Sequence, residues 1–257
     1  MSTQPCNYWD DEMMTTTPPR QTTPVLGVPV DRIDMAGALA RLQQAIETRT
    51  PVQVVTFNAE MAMLARENAD FRDVALHAGL VVPDGAGVVW ALRHQGTPVR
   101  RLPGIELTMA LMGEAEKHGW RVFLLGASPE VNAEAAEVLQ QRYPRLVLAG
   151  TQHGFFGPDA EGEILSGIRS AAPDILLVAL GVPRQELWSR QHQGGLGVPV
   201  AIGVGGTLDV LAGKVQRAPV WMQRLNLEWL YRLYKEPWRW RRMLALPRFV
   251  GAVLKER

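Results

Sequence analysis

Short apolar runs rich in β-branched residues alternate with amphipathic stretches over most of this chain. Runs at 25–28, 52–57, 80–82, 121–125, 146–150, 175–180 and 200–204 predict strands, most of them followed by a helical pattern. Helix entries are marked by residues that accept a free N–H or preset the first turn: Asp34 before MAGALARLQQAI, Ser128 with Pro129 and Glu130 before VNAEAAEVLQQRY, and Pro183 opening RQELWSRQH. Strand and helix in alternation predict an α/β fold, a mainly parallel, doubly wound, Rossmann-like sheet with helices on both faces. Ligands of such sheets sit at the carboxyl ends of the strands.

Glycine and polar residues collect at those ends. The run at 52–57 leads into Thr56, Asn58 and Glu60, and the run at 80–82 into Pro83-Asp84-Gly85-Ala86-Gly87. The run at 121–125 stops at Gly126-Ala127-Ser128, and the last two end in Gly181-Val182-Pro183-Arg184-Gln185-Glu186 and Gly203-Val204-Gly205-Gly206-Thr207. Five strands thus converge on one rim. Glycines there let backbone approach a ligand, and helix N-termini behind Ser128, Pro183 and Gly206 would aim N–H groups at an anion such as a diphosphate. The rim predicts a nucleotide-bearing substrate. Neither G-x-G-x-x-G nor G-x-x-x-x-G-K-[ST] spacing occurs, which argues against NAD and ATP.

Asp84 follows an apolar strand between Pro83 and Gly85, where desolvation would raise its pKa and glycine leaves room for substrate. It reads equally as a turn or capping residue ahead of AGVVWALRH. The five histidines, His77, His94, His118, His153 and His192, show no paired spacing and no supporting thiolates, so no metal is expected. His153, in GTQHGFFG, reads as a surface-loop residue.

An apolar content of 47% suffices for a full-sized core. No window approaches the roughly 18 consecutive apolar residues of a spanning helix, and the polar N-terminus is unlike a signal peptide, so a cytoplasmic protein is expected. Residues 1–23, rich in Thr and Pro, read as a disordered leader outside the fold; it holds the single cysteine, Cys6, which suits neither a disulfide framework nor a catalytic thiol.

Charge divides the remainder. Residues 214–257 hold eleven Lys and Arg against Glu228, Glu236 and Glu256, a net +8 that leaves −7 on residues 1–213. These cations are interleaved with Trp221, Trp229, Trp238, Trp240, Tyr231, Tyr234 and several leucines. Cationic heads on aromatic and aliphatic bodies suit an anionic membrane surface. A packed helix with a solvated basic face fits the same composition. A nucleic-acid surface is set aside, because no zinc-finger or RNA-recognition signature accompanies it. The expected division is a leader at 1–23, a core at 24–213 and a basic helical appendage at 214–257.

Nine blocks in order carry a resemblance: TFNAEM (56–61), VPDGAGVVWA (82–91), RRLPGIEL (100–107), FLLGASPEV (123–131), GTQHGFFGP (150–158), VALGVPRQELW (178–188), IGVGGTLDVLAG (202–213), RAPVW (217–221) and LEWLYRLYKEPWRWRR (227–242). Together they resemble the bacterial WecG/TagA/CpsF glycosyltransferase family over nearly everything after residue 24. The resemblance implies an inverting transferase without a cofactor. It would move N-acetylmannosamine, its uronic acid or glucose from a UDP-sugar to a saccharide on undecaprenyl diphosphate. It also implies peripheral attachment to the inner face of the plasma membrane through the appendage.

Carried over by position, Asp84 is the general base, with Thr56 and Asn58 in its pocket. Arg101 and Gln185 hold the diphosphate or donor, and Arg217, Arg232, Arg239 and Arg242 close over the donor phosphates. Gly126, Glu186 and Gly205 complete the substrate-binding set on the rim. Removing residues 214–257 is expected to abolish transfer and leave a folded core. An apolar face uncovered by the appendage would suit a homo-oligomer as well as a membrane. A non-catalytic membrane scaffold is the alternative; it accounts for the tail but not for the rim.

Overall fold

The computed structural model describes residues 20–225 and 227–256. The chain opens with an antiparallel hairpin, β1 (Thr22–Val25) and β2 (Val28–Asp31). There follow α1 (Met35–Glu47), β3 (Val52–Phe57), α2 (Ala59–Glu67), α3 (Ala69–His77), β4 (Leu80–Pro83), α4 (Ala86–His94) and α5 (Gly104–His118). The second half runs β5 (Arg121–Gly126), α6 (Pro129–Arg142), β6 (Val147–Gln152), α7 (Pro158–Ala171), β7 (Ile175–Ala179), α8 (Arg184–Leu196), β8 (Val200–Gly203) and α9 (Thr207–Leu211). The basic tail forms α10 (Val220–Arg224), α11 (Glu228–Lys235), a 3₁₀ turn (Pro237–Arg239), α12 (Trp240–Met243) and α13 (Ala245–Lys255).

Strands β3 to β8 form one parallel sheet in the order β4-β3-β8-β7-β5-β6. Successive residues of each strand feed opposite faces. Val52, Val54, Val122, Leu124, Ile175 and Leu177 pack beneath α1, α5, α6 and α9. On the other face Val55 and Phe57 meet α2, α3, α4 and the hairpin, while Phe123, Leu125, Leu176 and Val178 meet α7 and α8. Burial on both faces is why the strands other than β6, which lies at the sheet edge and is only partly buried, read as unbroken apolar runs.

The capping residues act as the sequence implies. Asp34 accepts the Gly37 N–H, Ser128 accepts the Val131 N–H, and Pro183 directly precedes α8.

Three expectations need correction. The run at 25–28 is not one strand, because Leu26 and Gly27 both take positive φ (50° and 82°) and turn the chain between β1 and β2. Nor do residues 20–23 belong to a leader. The Arg20 guanidinium grips buried Asp31 through Nε and Nη2, each at 2.7 Å, and Asp31 Oδ2 also accepts the Val81 N–H on the outer edge of β4. Thr- and Pro-rich composition conceals a separate hairpin that lies beside β4 and blunts the edge of the sheet. Residues 1–19, including Cys6, lie outside the described residues.

The boundary at 213 also does not separate two packing units. Phe249 and Val253 of α13 are buried, at 0% and 3% exposure, in the cluster that covers β3 and β4, against α2 and α4. Removing everything after 213 would therefore strip part of the core as well as the tail's exposed aromatic residues, so the truncation does not isolate the tail's functional role. We expect Phe249→Ala to cost about 3–5 kcal/mol in denaturant unfolding. Trp238→Ala, at a site 71% exposed, should stay within about 0.5 kcal/mol.

Candidate active site

The loop after β3 leads to α2 on one face of the sheet, and the loop after β8 leads to α9 on the other. Where neighbouring strands send their chains apart, the sheet opens a crevice at its carboxyl edge. The tail lies across that crevice. The result is a cleft of two lobes, about 260 and 170 Å³, that share Asp84, Arg101, Glu228 and Arg232 in their walls.

Asp84 sits one residue beyond β4. Its backbone is pinned by its own N–H to the Phe57 and Val82 carbonyls, both at 3.0 Å, and the Pro83 carbonyl accepts the Leu102 N–H. Burial is the main influence on its carboxyl and raises its pKa to about 6. The Arg101 charge, the Gly104 N–H and the Arg232 charge oppose that rise, and the Glu228 charge adds to it. The carboxyl is thus ionised at neutral pH and still basic enough to take a proton. The Gly104 N–H reaches it because α5 starts tight against β3: a Cβ at Gly104 would lie 2.8 Å from Thr56 Cγ2.

Thr56, Asn58, Gln185 and Gly205 all line the smaller, polar lobe. The Thr56 hydroxyl donates to the Gly203 carbonyl at 3.4 Å, bridging β3 to β8. Asn58 Oδ1 caps α2 by accepting the Met61 N–H, so half of that amide serves the fold. Gln185 is nearly inaccessible; its Oε1 accepts the Gly205 N–H at 3.2 Å and its Nε2 donates to Glu186 Oε1 at 2.7 Å. Those bonds tie the start of α8 to the end of β8.

Two rim candidates stand apart from the cleft. Glu186 lies beneath the cleft floor rather than in its walls; burial pushes its carboxyl up to about 7, against the pull of the Gln185 amide. Gly126 lies two strands beyond β8, outside both lobes. Its φ of 123° and a would-be Cβ 2.3 Å from the Ala179 carbonyl oxygen make it a packing glycine between β5 and β7. The α6 entry at Ser128 is likewise absent from both lobes. His153 is half-buried and lines a separate groove beside α7.

The tail arginines are arranged unequally. Arg232 and Arg242 line both lobes, and Arg242 Nε pairs with Glu60 Oε1 at 2.6 Å. Arg217 lies outside the walls, with its Nη2 shared between Glu106 at 3.1 Å and Glu228 at 3.3 Å. The Arg239 side chain lies outside the described residues.

Sequence reasoning passed over Glu228. Its carboxylate contacts Arg101 directly and is held below the ordinary carboxyl range by Arg101 and Arg217, against the opposing effect of burial. The signal was present, since Glu228 precedes Arg232 by four residues and so shares its helical face. The neighbouring stripe of α11, Trp229 and Leu233, joins Leu246 of α13 in walling the larger, apolar lobe.

Residues 23–257 match the description "Glycosyl transferase WecG/TagA/CpsF family". The chain belongs to that family. It is a glycosyltransferase, as the nine sequence blocks implied. Among curated relatives of the WecG/TagA/CpsF family, a Bacillus subtilis (strain 168) protein is 35% identical over 238 residues, covering 92% of each chain. A Bacillus spizizenii protein is 38% identical over 203 residues, covering 79% of this chain and 78% of its own. A Staphylococcus aureus (strain MW2) protein is 34% identical over 235 residues, covering 90% and 91%. All three are named N-acetylglucosaminyldiphosphoundecaprenol N-acetyl-beta-D-mannosaminyltransferase.

Proposed function

We propose that this glycosyltransferase moves N-acetylmannosamine from its UDP derivative to a saccharide carried on undecaprenyl diphosphate, with inversion at the anomeric carbon. The observation that carries the reading is Asp84. Its raised carboxyl stands where a polar lobe meets an apolar one, with Arg101 and Arg232 beside it. Of the three donor sugars that the sequence left open, the relatives' names favour N-acetylmannosamine.

The polar lobe suits the donor, since Gly205, Gly206 and the start of α5 bring backbone close to a diphosphate. The apolar lobe suits the lipid side of the acceptor. Asp84 takes the proton of the acceptor hydroxyl as that oxygen attacks the anomeric carbon, and the C–O bond to UDP breaks on the opposite face. Negative charge grows on the departing diphosphate, where Arg232 and Arg101 can meet it with guanidinium hydrogen bonds.

Membrane attachment fits the same arrangement. Among the described residues no helix is long and apolar enough to cross a bilayer. The tail nonetheless exposes Trp221 (59%), Leu225 (62%), Tyr234 (78%), Trp238 (71%) and Trp240 (54%) beside its cations. Such a surface settles at headgroup depth on an anionic leaflet. The apolar lobe, walled by the same segment, would then open toward the lipid that carries the acceptor.

The test is transfer from a panel of UDP-sugars to a synthetic polyprenyl-diphosphate-linked N-acetylglucosamine in liposomes. UDP release that requires both the acceptor and UDP-N-acetylmannosamine is the expected result. UDP, but not NAD, should also raise thermal stability, by about 2.7 kcal/mol at a hundred times its Kd. Stabilisation by UDP without turnover on any of these pairs would overturn the proposed pairing of N-acetylmannosamine donor and N-acetylglucosamine acceptor.

A further inference from the structure

The tail reaches the cleft through one carboxylate. Glu228, in the first turn of α11, contacts Arg101 of the α4–α5 connection and lies 3.3 Å from Arg217 Nη2, which itself reaches Glu106 of α5 at 3.1 Å. The chain Arg101–Glu228–Arg217–Glu106 therefore alternates core, tail, tail, core. Its first three members are sheltered, with the Arg101, Glu228 and Arg217 side chains 15%, 17% and 24% exposed, while Glu106 at the outer end is 46% exposed. A sheltered pair resists salt screening, and losing one member leaves a partly desolvated charge behind.

Among the described residues little else anchors α11. None of its described residues is buried, and Leu230 and Tyr234 face outward at 43% and 78% exposure. Its grip on the core thus depends on the Glu228 contacts and on the Trp229–Leu233 stripe. Arg232 follows Glu228 by four residues, on the same helical face, and its charge reaches Asp84.

We propose that Glu228 is a positioning residue, a charged latch that docks α11 against Arg101 and Arg217 so that Arg232 faces Asp84. The proposal rests on the reading of Asp84 and Arg232 as transfer machinery. It also gives Arg101 two tasks, docking the tail and meeting the donor. A carboxylate beside a diphosphate site would otherwise only repel the donor.

The experiment is a double-mutant cycle of wild type, Glu228→Gln, Arg232→Ala and both together, on the full-length chain with lipid-linked acceptor in detergent. If Glu228 acts through Arg232, Glu228→Gln lowers kcat by about tenfold or more in the wild-type background and by less than about twofold once Arg232 is absent. Glu228→Asp, which keeps the charge on a shorter stem, should recover part of the loss and guards against a variant that fails to fold. A pH profile supplies a readout that a purely structural role would not move. Asp84 is faced by Arg101 and the Gly104 N–H from the core, by Arg232 and Glu228 from α11, and across the cleft by the Arg242–Glu60 pair. If the latch releases α11, Asp84 loses the Arg232 charge, which acts on it more strongly than Glu228 does, so the acid limb should move to higher pH; a move to lower pH would mean that only the Glu228 charge was lost with Arg232 still in place, and would overturn the latch.

Equal losses in both backgrounds would overturn the latch alone. A tighter donor KM in Glu228→Gln would overturn it too, making Glu228 a competitor of the phosphate. An Arg232→Ala variant with full activity would overturn the latch together with the clamp reading on which it rests.

Discussion

Asp84→Asn is expected to lower kcat by about 10²–10⁴-fold, the usual worth of a positioned general base, while UDP affinity changes little. The amide keeps the shape of the carboxyl and loses only its capacity to accept the acceptor's proton, so the loss belongs to the transition state and should appear equally in kcat and kcat/KM. In the wild type, kcat/KM should fall as pH drops through about 6, because protonating the carboxyl removes the base.

Stability should move the other way. A carboxyl whose pKa is raised by folding binds its proton more tightly in the native state than in the unfolded chain. Asp84 therefore favours folding below the ordinary carboxyl pKa and costs stability as pH rises toward 6. At pH 8 the Asn variant should melt at the same temperature as wild type or above it. Turnover within tenfold of wild type across this range would end the assignment of Asp84 as base.

Arg232→Ala should rank second, lowering kcat by about 10²–10³-fold, the cost of deleting one preorganised donor at a developing oxyanion. Arg232 lines both lobes and its charge already reaches the Asp84 carboxyl. Charge develops on the departing diphosphate only as the glycosidic bond breaks, so kcat should suffer more than donor KM. Arg232→Lys keeps the charge but loses the planar fork that grips two phosphate oxygens, and should recover only part of the rate. A loss confined to KM would show that Arg232 binds the ground state and does not serve the chemical step. Because α11 contributes no buried side chain among the described residues, either substitution should leave global unfolding nearly unchanged.

Much of the architecture was legible because the physics behind it is local. Strands buried on both faces read as apolar runs, and Asp34 and Ser128 announce helices because a side-chain oxygen can satisfy an N–H only at short range. The hairpin escaped for the opposite reason. Its anchor is an ion pair from Arg20 to Asp31 and a bond from Asp31 to Val81, fifty residues away. Nothing in a Thr- and Pro-rich stretch signals such a partner.

The site divides along the same line. Asp84, Thr56, Asn58, Gln185 and Gly205 stand at strand ends, and the parallel sheet brings those ends together. Gly126 occupies an equivalent place in the sequence, yet strand order puts β5 two strands beyond β8, and its missing side chain serves backbone packing. Glu186 adjoins Gln185, but a helical step of about 100° between successive residues sends it beneath the cleft.

By itself the sequence determined the alternating layers, the rim of strand ends, the basic aromatic tail and the family, all of which are written in residue types and their spacing. Only the tertiary structure decided that α13 belongs to the core, that the tail lies across the cleft, and that Glu228 binds the two together. Periodicity reports which face of an element is buried. What that face is buried against depends on contacts between residues far apart in the chain, and those exist only once the chain has folded.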